Sequence, residues 1–193
     1  MKKFVTLFTD SSKEFKSVRT ITITAMLAAI AVILSRFSIN YGEYIRISFS
    51  GIANEITAYL FGPVVGGVFA GVVDIINYVL NPIGTFCPPL TLVKILGGVI
   101  YGCFFYKKKI TIGRILSAKF VAMLICNVFL NTLCLSLLYG NAFMAILPVR
   151  ALKNLIMWPI DTVIFFIVLK ALEGAGILRM VENMKIKAVK TEQ

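Results

Sequence analysis

The sequence contains no histidine, and that absence removes a Ser-His-Asp triad, histidine metal ligation and a histidine proton relay. Charge is scarce: 15% of residues are Asp, Glu, Lys or Arg, against about a quarter in a soluble domain. The four cysteines (Cys87, Cys103, Cys126, Cys134) form no C-x-x-C pair, which argues against a zinc site or a redox dithiol. Three of them sit in apolar segments and read as small hydrophobes rather than disulfide partners. No G-x-x-x-x-G-K-[ST] occurs, so ATP hydrolysis by a P-loop is excluded. Neither a nucleophile–base pair nor a metal cluster is visible, and no cofactor is expected.

What the chain has in excess is apolar sequence. Of 193 residues, 59% are hydrophobic, and mean hydropathy is +0.89. The apolar residues come in long runs rather than stripes, so they face apolar surroundings on all sides. The expected fold class is an all-α integral membrane protein. Polar breaks divide it into six transmembrane helices near 20–37, 47–62, 64–80, 91–106, 114–139 and 148–172. Several approach the lower limit of about 17 residues for a crossing. Residues 1–19 read as a cytoplasmic N-terminal segment, 20–172 as the membrane domain and 173–193 as a basic cytoplasmic tail. Gly62-Pro63 should make the second and third spans a tight hairpin.

The net charge of +11 is explained by position. Lys2, Lys3, Lys13, Lys16 and Arg19 precede the first span. Lys107, Lys108, Lys109, Arg114 and Lys119 flank the turn between the fourth and fifth. Lys170, Arg179, Lys185, Lys187 and Lys190 follow the last. Fifteen of the twenty basic residues thus fall on one side, the positive-inside pattern of a multi-pass protein with both termini in the cytoplasm. A nucleic-acid patch is not required. Asp10 and Glu14 interrupt any secretory-signal pattern, so the first helix should be retained.

Arg36, Arg46, Lys94, Arg150 and Lys153 are left at the outer ends of spans or in outer loops. A charge within the hydrocarbon costs at least ~2.5–3.5 kcal/mol. Either these residues snorkel, or pair with Glu43, Glu55, Asp74 or Asp161, or they converge on an anionic ligand entering from outside. In the last span Arg150, Lys153, Asn154, Met157 and Asp161 share one helical face. A guanidinium fork with a lysine one turn below suits a carboxylate. Pro148 should sit in that helix's first turn, and Pro159 should kink it. Trp158 at the edge of this face offers a surface for a ring, or else an interface anchor.

Other spans carry polar faces: Asn127, Asn131 and Cys134; Asp74, Asn77 and Asn81; Ser50, Asn54 and Thr57. Asn and Asp supply the mixed donors and acceptors that read a heterocycle, though each alone serves equally as interhelical glue. Two outer loops, 38–46 with Tyr41 and Tyr44, and 81–90 with Phe86, fit a lid. Proline should hold the second extended. Ala25, Ala28 and Ala29 share a small-residue face on the first span, open to docking by another membrane subunit. Gly67/Gly71 and Gly98/Gly102 read as internal packing.

Several stretches together resemble the folate-family S component of energy-coupling factor (ECF) transporters. They are 25–37 of the first span, Arg46-Ile47-Ser48-Phe49, Phe61-Gly62-Pro63-Val64-Val65-Gly66-Gly67, Asn131-Thr132-Leu133, and Leu147 to Asn154 with Pro159. The similarity covers about residues 20–172. It implies a six-helix, non-enzymatic subunit that captures folate outside. Docking would be through Ala25, Ala28 and Ala29 onto a transmembrane coupling subunit carrying two ATPases, and ATP hydrolysis there would topple the subunit and release the vitamin. Arg150 and Lys153 would then hold the glutamate carboxylates, and Asp74, Asn77 and Asn131 the pterin edge.

Where the family tends to read F-x-P-G-F-T-L, this chain has Phe86-Cys87-Pro88-Pro89-Leu90-Thr91-Leu92, with Lys94 in the next turn. That loop should border the pocket, which adds Phe86, Thr91 and Lys94 to a candidate set that also holds Arg46, Asn154 and Trp158. The departure leaves another B vitamin or related anion open as the ligand. Further alternatives are a small membrane enzyme acting on lipid head groups and a ligand-free assembly subunit.

Overall fold

A computed structural model describes residues 2–15, 17–36, 39–41, 45–47, 50–80, 82, 87–108, 111–139 and 143–176; the side chains of 2–5, 39–47, 135, 137–139, 143–146, 149 and 150 lie outside that description. In chain order the elements are α1 (Lys2–Glu14), α2 (Val18–Arg36), β1 (Ile39–Tyr41), β2 (Ile45–Ile47), α3 (Ser50–Phe61), α4 (Pro63–Leu80), α5 (Pro88–Phe105), α6 (Ile112–Ala122), α7 (Asn131–Tyr139) and α8 (Phe143–Gly174). A π-helical stretch, Met123–Leu130, joins α6 to α7 without a break.

Among the described residues five helical segments are long and apolar enough to cross a membrane: α2, α4, α5, the α6–α7 run and α8. The expected second span falls short. With 12 residues, α3 reaches only about 18 Å at 1.5 Å per residue, against a hydrocarbon core of about 30 Å. Its polar Asn54, Glu55 and Thr57 are supported by protein instead of lipid.

The fold turns where its residues dictate. Gly62, at φ +91°, takes the left-handed conformation that an L side chain resists, and Pro63 opens α4, where its missing N–H is not needed. Ser11 of α1 completes this turn from a distance. Its Oγ donates to the Phe61 carbonyl (2.8 Å) and accepts from the Val64 and Val65 N–H groups (3.1 and 3.3 Å). That is N-cap chemistry supplied in trans. The N-terminal segment is thus a helix seated on the bundle. It is held further by Lys107 Nζ on Asp10 at 2.6 Å and the Tyr106 hydroxyl on Glu14 at 3.4 Å. The Lys107 ammonium holds the Asp10 carboxyl below its ordinary range.

Helices α4 and α5 make the closest approach. A Cβ on Gly98 would strike the Gly66 carbonyl, and one on Gly102 would strike the Pro63 backbone. Gly67 faces Val99, and Gly71 faces Ile95. The glycine pairs are therefore internal packing, as expected; close van der Waals contact of backbones is what holds helices together where lipid offers no hydrophobic gradient.

The end of the bundle near α1 is filled. Ile56, Phe105, Ile115, Ala118, Phe165 and Leu169 form its core, with Phe105 stacked between Tyr101 and Phe165 at centroid distances of 5.9 and 5.5 Å. The half nearer the β1–β2 hairpin is not filled in this way. There Arg36 Nη2 donates to the Leu80 carbonyl at 3.0 Å, so this cation settles on a helix C-terminus.

Three expectations are corrected. Pro88 and Pro89 do not hold an extended loop but form the first turn of α5. Helix α8 begins at Phe143, which puts Pro148 inside the helix rather than in its first turn. On α2, Ala25 and Ala29 are exposed, but Ala28 turns inward against Ala31, Ala53, Phe69 and Val73.

Gly102→Val should lower stability by ~1–3 kcal/mol or more, because the backbone of Pro63 cannot yield as a side chain does. Gly113→Ala, with open space around it, should leave it unchanged or raised. Thermal unfolding in detergent reads both; an unaffected Gly102→Val would contradict the packing.

Candidate functional site

The hollow half encloses a cavity of about 370 Å³, within the range of small-molecule sites. Helix α3 contributes Asn54 and Glu55, α4 contributes Asp74, Asn77 and Tyr78, and α5 contributes Thr91, Lys94 and Tyr101. The π stretch adds Asn127, α7 adds Asn131 and α8 adds Asp161. A π-helical insertion changes the phase of the residues that follow and is frequent at functional sites. Here Asn127 and Asn131 reach the cavity while Cys134 packs with Val93 and Cys126.

Fixed hydrogen bonds set the walls. The Thr91 hydroxyl donates to Asp74 Oδ2 at 2.9 Å, clamping α5 to α4. The Ser35 hydroxyl donates to Asn77 Oδ1 and orients that amide. At the inner end Lys119 Nζ lies 2.9 Å from Glu55 Oε1, donates to the Asp161 carbonyl at 2.9 Å and sits 5.2 Å from the centre of the Phe165 ring. Both partners are 7% exposed at the side chain. One ammonium thus binds α3, α6 and α8 together beneath the cavity.

This overturns one assignment. Lys119 is not among the cytoplasmic flanking cations but within the bundle, because α6 starts at Ile112 and carries it two turns inward. Glu55 was expected to pair with a cation, but its partner is Lys119 rather than one of Arg36, Arg46, Lys94, Arg150 and Lys153: a carboxylate inside an apolar segment needs a cation at its own depth.

Of the expected site residues, the structure brings Asp74, Asn77, Thr91, Lys94 and Asn131 together around the cavity. The side chains of Arg46, Phe86 and Arg150 lie outside the described residues. Lys153 and Asn154 are half-buried on α8 and do not line the cavity. Trp158 is a correction: its Nε1–H donates to the Leu116 carbonyl at 3.0 Å, and its ring meets Phe120 at 5.3 Å. It ties α8 to α6 instead of presenting a face to a ligand.

A family model for the substrate-specific component of ECF transporters matches residues 19–169. The chain belongs to that family. It is also 30% identical over 171 residues to the folate transporter FolT of Clostridium novyi, covering 89% of this chain and 94% of that one. The folate transporter FolT of Leuconostoc mesenteroides is 30% identical over 158 residues, 78% and 84% of the two chains. Among solved structures, that of FolT bound with folic acid superposes with a TM-score of 0.73 at 31% identity, over 79% of this chain and 93% of that one. An ECF substrate-specific component is a membrane-embedded transporter subunit, in keeping with the apolar spans around this cavity.

Lys119→Met should destabilise the chain by ~3–5 kcal/mol, since Glu55 is left charged and buried. Pairing it with Glu55→Leu should recover most of the loss. Denaturation in mild detergent distinguishes them, and a single variant as stable as wild type would contradict the pairing.

Proposed function

We propose that this ECF substrate-specific component captures folate from outside the cell and delivers it inward after docking on its energising module. The observation that carries this reading is the likeness to FolT bound with folic acid over nearly the whole of that chain. The cavity supports it chemically. A pterin is a flat heterocycle with donors and acceptors on its edges, and Asp74, Asn77 and Asn131 offer both kinds of group within one enclosure.

In this reading Arg150 and Lys153 hold the glutamate carboxylates, with Asn154 beside them on α8 and Lys94 adding positive charge at the cavity. Arg46, Phe86 and Thr91 border the ligand. Both termini lie in the cytoplasm. Removing Lys119 from the inner cations leaves fourteen of twenty, which preserves the positive-inside bias. That orientation puts the hollow half outside and the filled half inside.

Docking on a transmembrane coupling subunit with two ATPases uses the exposed face of α2. Ala25 and Ala29 let a partner helix approach, and Met26, Ile30 and Ile33 beside them are exposed and apolar. Ala28 belongs to the interior and is withdrawn from that surface. A related anionic vitamin is the second reading, favoured by one observation: Leu90, standing where the folate family tends to have an aromatic residue, lines the cavity.

Arg150→Ala should weaken folate binding by ~1.5–3 kcal/mol if one charge-assisted hydrogen bond is lost; unchanged calorimetric affinity would remove Arg150 from the site. Replacing Ala25 and Ala29 by tryptophan should abolish uptake while folate affinity of the purified chain stays intact. Uptake at the wild-type rate would reject this face as the docking surface.

A further inference from the structure

Among the described residues two buried acceptors at the cavity have no hydrogen-bond partner: Asn54 Oδ1 and Glu55 Oε2. Both residues line the cavity, and Glu55 is 5% exposed. Buried polar atoms are almost always paired, so orphans on two consecutive residues that both line the cavity call for a donor that arrives from elsewhere. Glu55 Oε1 is held by Lys119, and Lys119 is itself held by the Asp161 carbonyl, so the carboxylate keeps a fixed orientation with its second oxygen left over. Asn54 is the preceding residue, in the second turn of the same short helix, and its amide oxygen adds a second acceptor.

We infer that Asn54 and Glu55 are the specificity-determining residues for the donor edge of the ligand, reading an N–H and an adjacent amino group on a 2-aminopyrimidin-4-one ring. The inference rests on the folate reading and adds the orientation of the ring within it. The edge enters first, toward the ion pair, and the acidic tail trails toward Lys94. Helix α5 supports that polarity. Lys94 lies about 9 Å along it from Pro88 and Tyr101 about 20 Å, so the aromatic wall and the ion pair are at the closed end and the cation nearer the hairpin end. A ring entering the other way would bring its acidic tail against Glu55 and Asp161, like charge against like.

Lys119 has a defined part in this arrangement. A lone carboxylate in this wall would repel a folate-like anion as a whole. Neutralised by an ammonium on its far oxygen, it keeps its acceptor strength and loses most of its long-range repulsion. The site therefore discriminates by hydrogen-bond pattern and not by net charge.

The test is a ligand-by-variant cycle read by calorimetry on the full chain in detergent, with folic acid and its 2-desamino-2-methyl analogue as probes. Wild type should bind the analogue at least tenfold more weakly than folic acid. In Asn54→Leu, which leaves the ion pair intact, and in Glu55→Gln, that preference should shrink to threefold or less, the loss falling on folic acid. A wild type that binds the two probes equally would overturn the inference while leaving folate capture standing, and this result needs no variant to fold. Equal weakening of both probes in a folded Asn54→Leu chain would also overturn it. No binding of folic acid to wild type would overturn both readings.

Discussion

The buried pairing of Glu55 with Lys119 is the constraint on which the rest of this structure depends. An ion pair inside a membrane bundle is tolerated only if both charges are satisfied at close range and shielded from lipid. Here the ammonium reaches a carboxylate on α3, a backbone carbonyl on α8 and the face of Phe165, so three helices meet at one point. On one side of that point the bundle is solid with Phe105, Ile115 and Phe165. On the other it is hollow and lined by amides and carboxylates. The pair is the floor of the cavity as well as a tie between helices.

A hollow half requires rigid walls, and these come from packing that leaves no slack. Helices α4 and α5 touch backbone to backbone through Gly66, Gly98 and Gly102, and Thr91 on Asp74 extends that contact to the cavity wall. Ser11 caps α4 from the N-terminal helix and fixes the α3–α4 turn. With the walls fixed in this way, α3 can be short. It does not need to span the hydrocarbon, and its polar first half stays inside protein. The outer surface of α2 is left with Ala25 and Ala29 between large apolar residues, a face suited to a helix from another subunit.

Much of this was legible in the residues. Long apolar runs and the Gly62-Pro63 break located most of the helices, the glycine spacing located the α4–α5 contact, and the polar faces of Asp74, Asn77 and Asn131 turn to the cavity. Four kinds of information were not legible. Lys119 looked like a flanking cation because positive-inside counting uses distance along the chain, whereas its burial depends on where α6 begins. Trp158 and Ala28 sat at the margin of their faces, and a rotation of a few tens of degrees, set by tertiary packing, sent one to Leu116 and the other to Phe69. Helix α1 and the π stretch escaped because neither leaves a break in hydropathy: the first hides among lysines, the second among continuous apolar residues. Pro88 and Pro89 show that proline restricts φ without choosing between a loop and a helix start.

A crystal structure of the chain with folic acid, grown from protein purified in a lipid-like detergent, bears most directly on a polar hollow bounded by an ion pair. The pterin ring is expected between α3, α4, α5 and α7, with its amino edge against Asn54 and Glu55 and the Lys119 contact unbroken. Folic acid seated outside that hollow, or a complex in which Glu55 has left Lys119 and the space has closed, would contradict it.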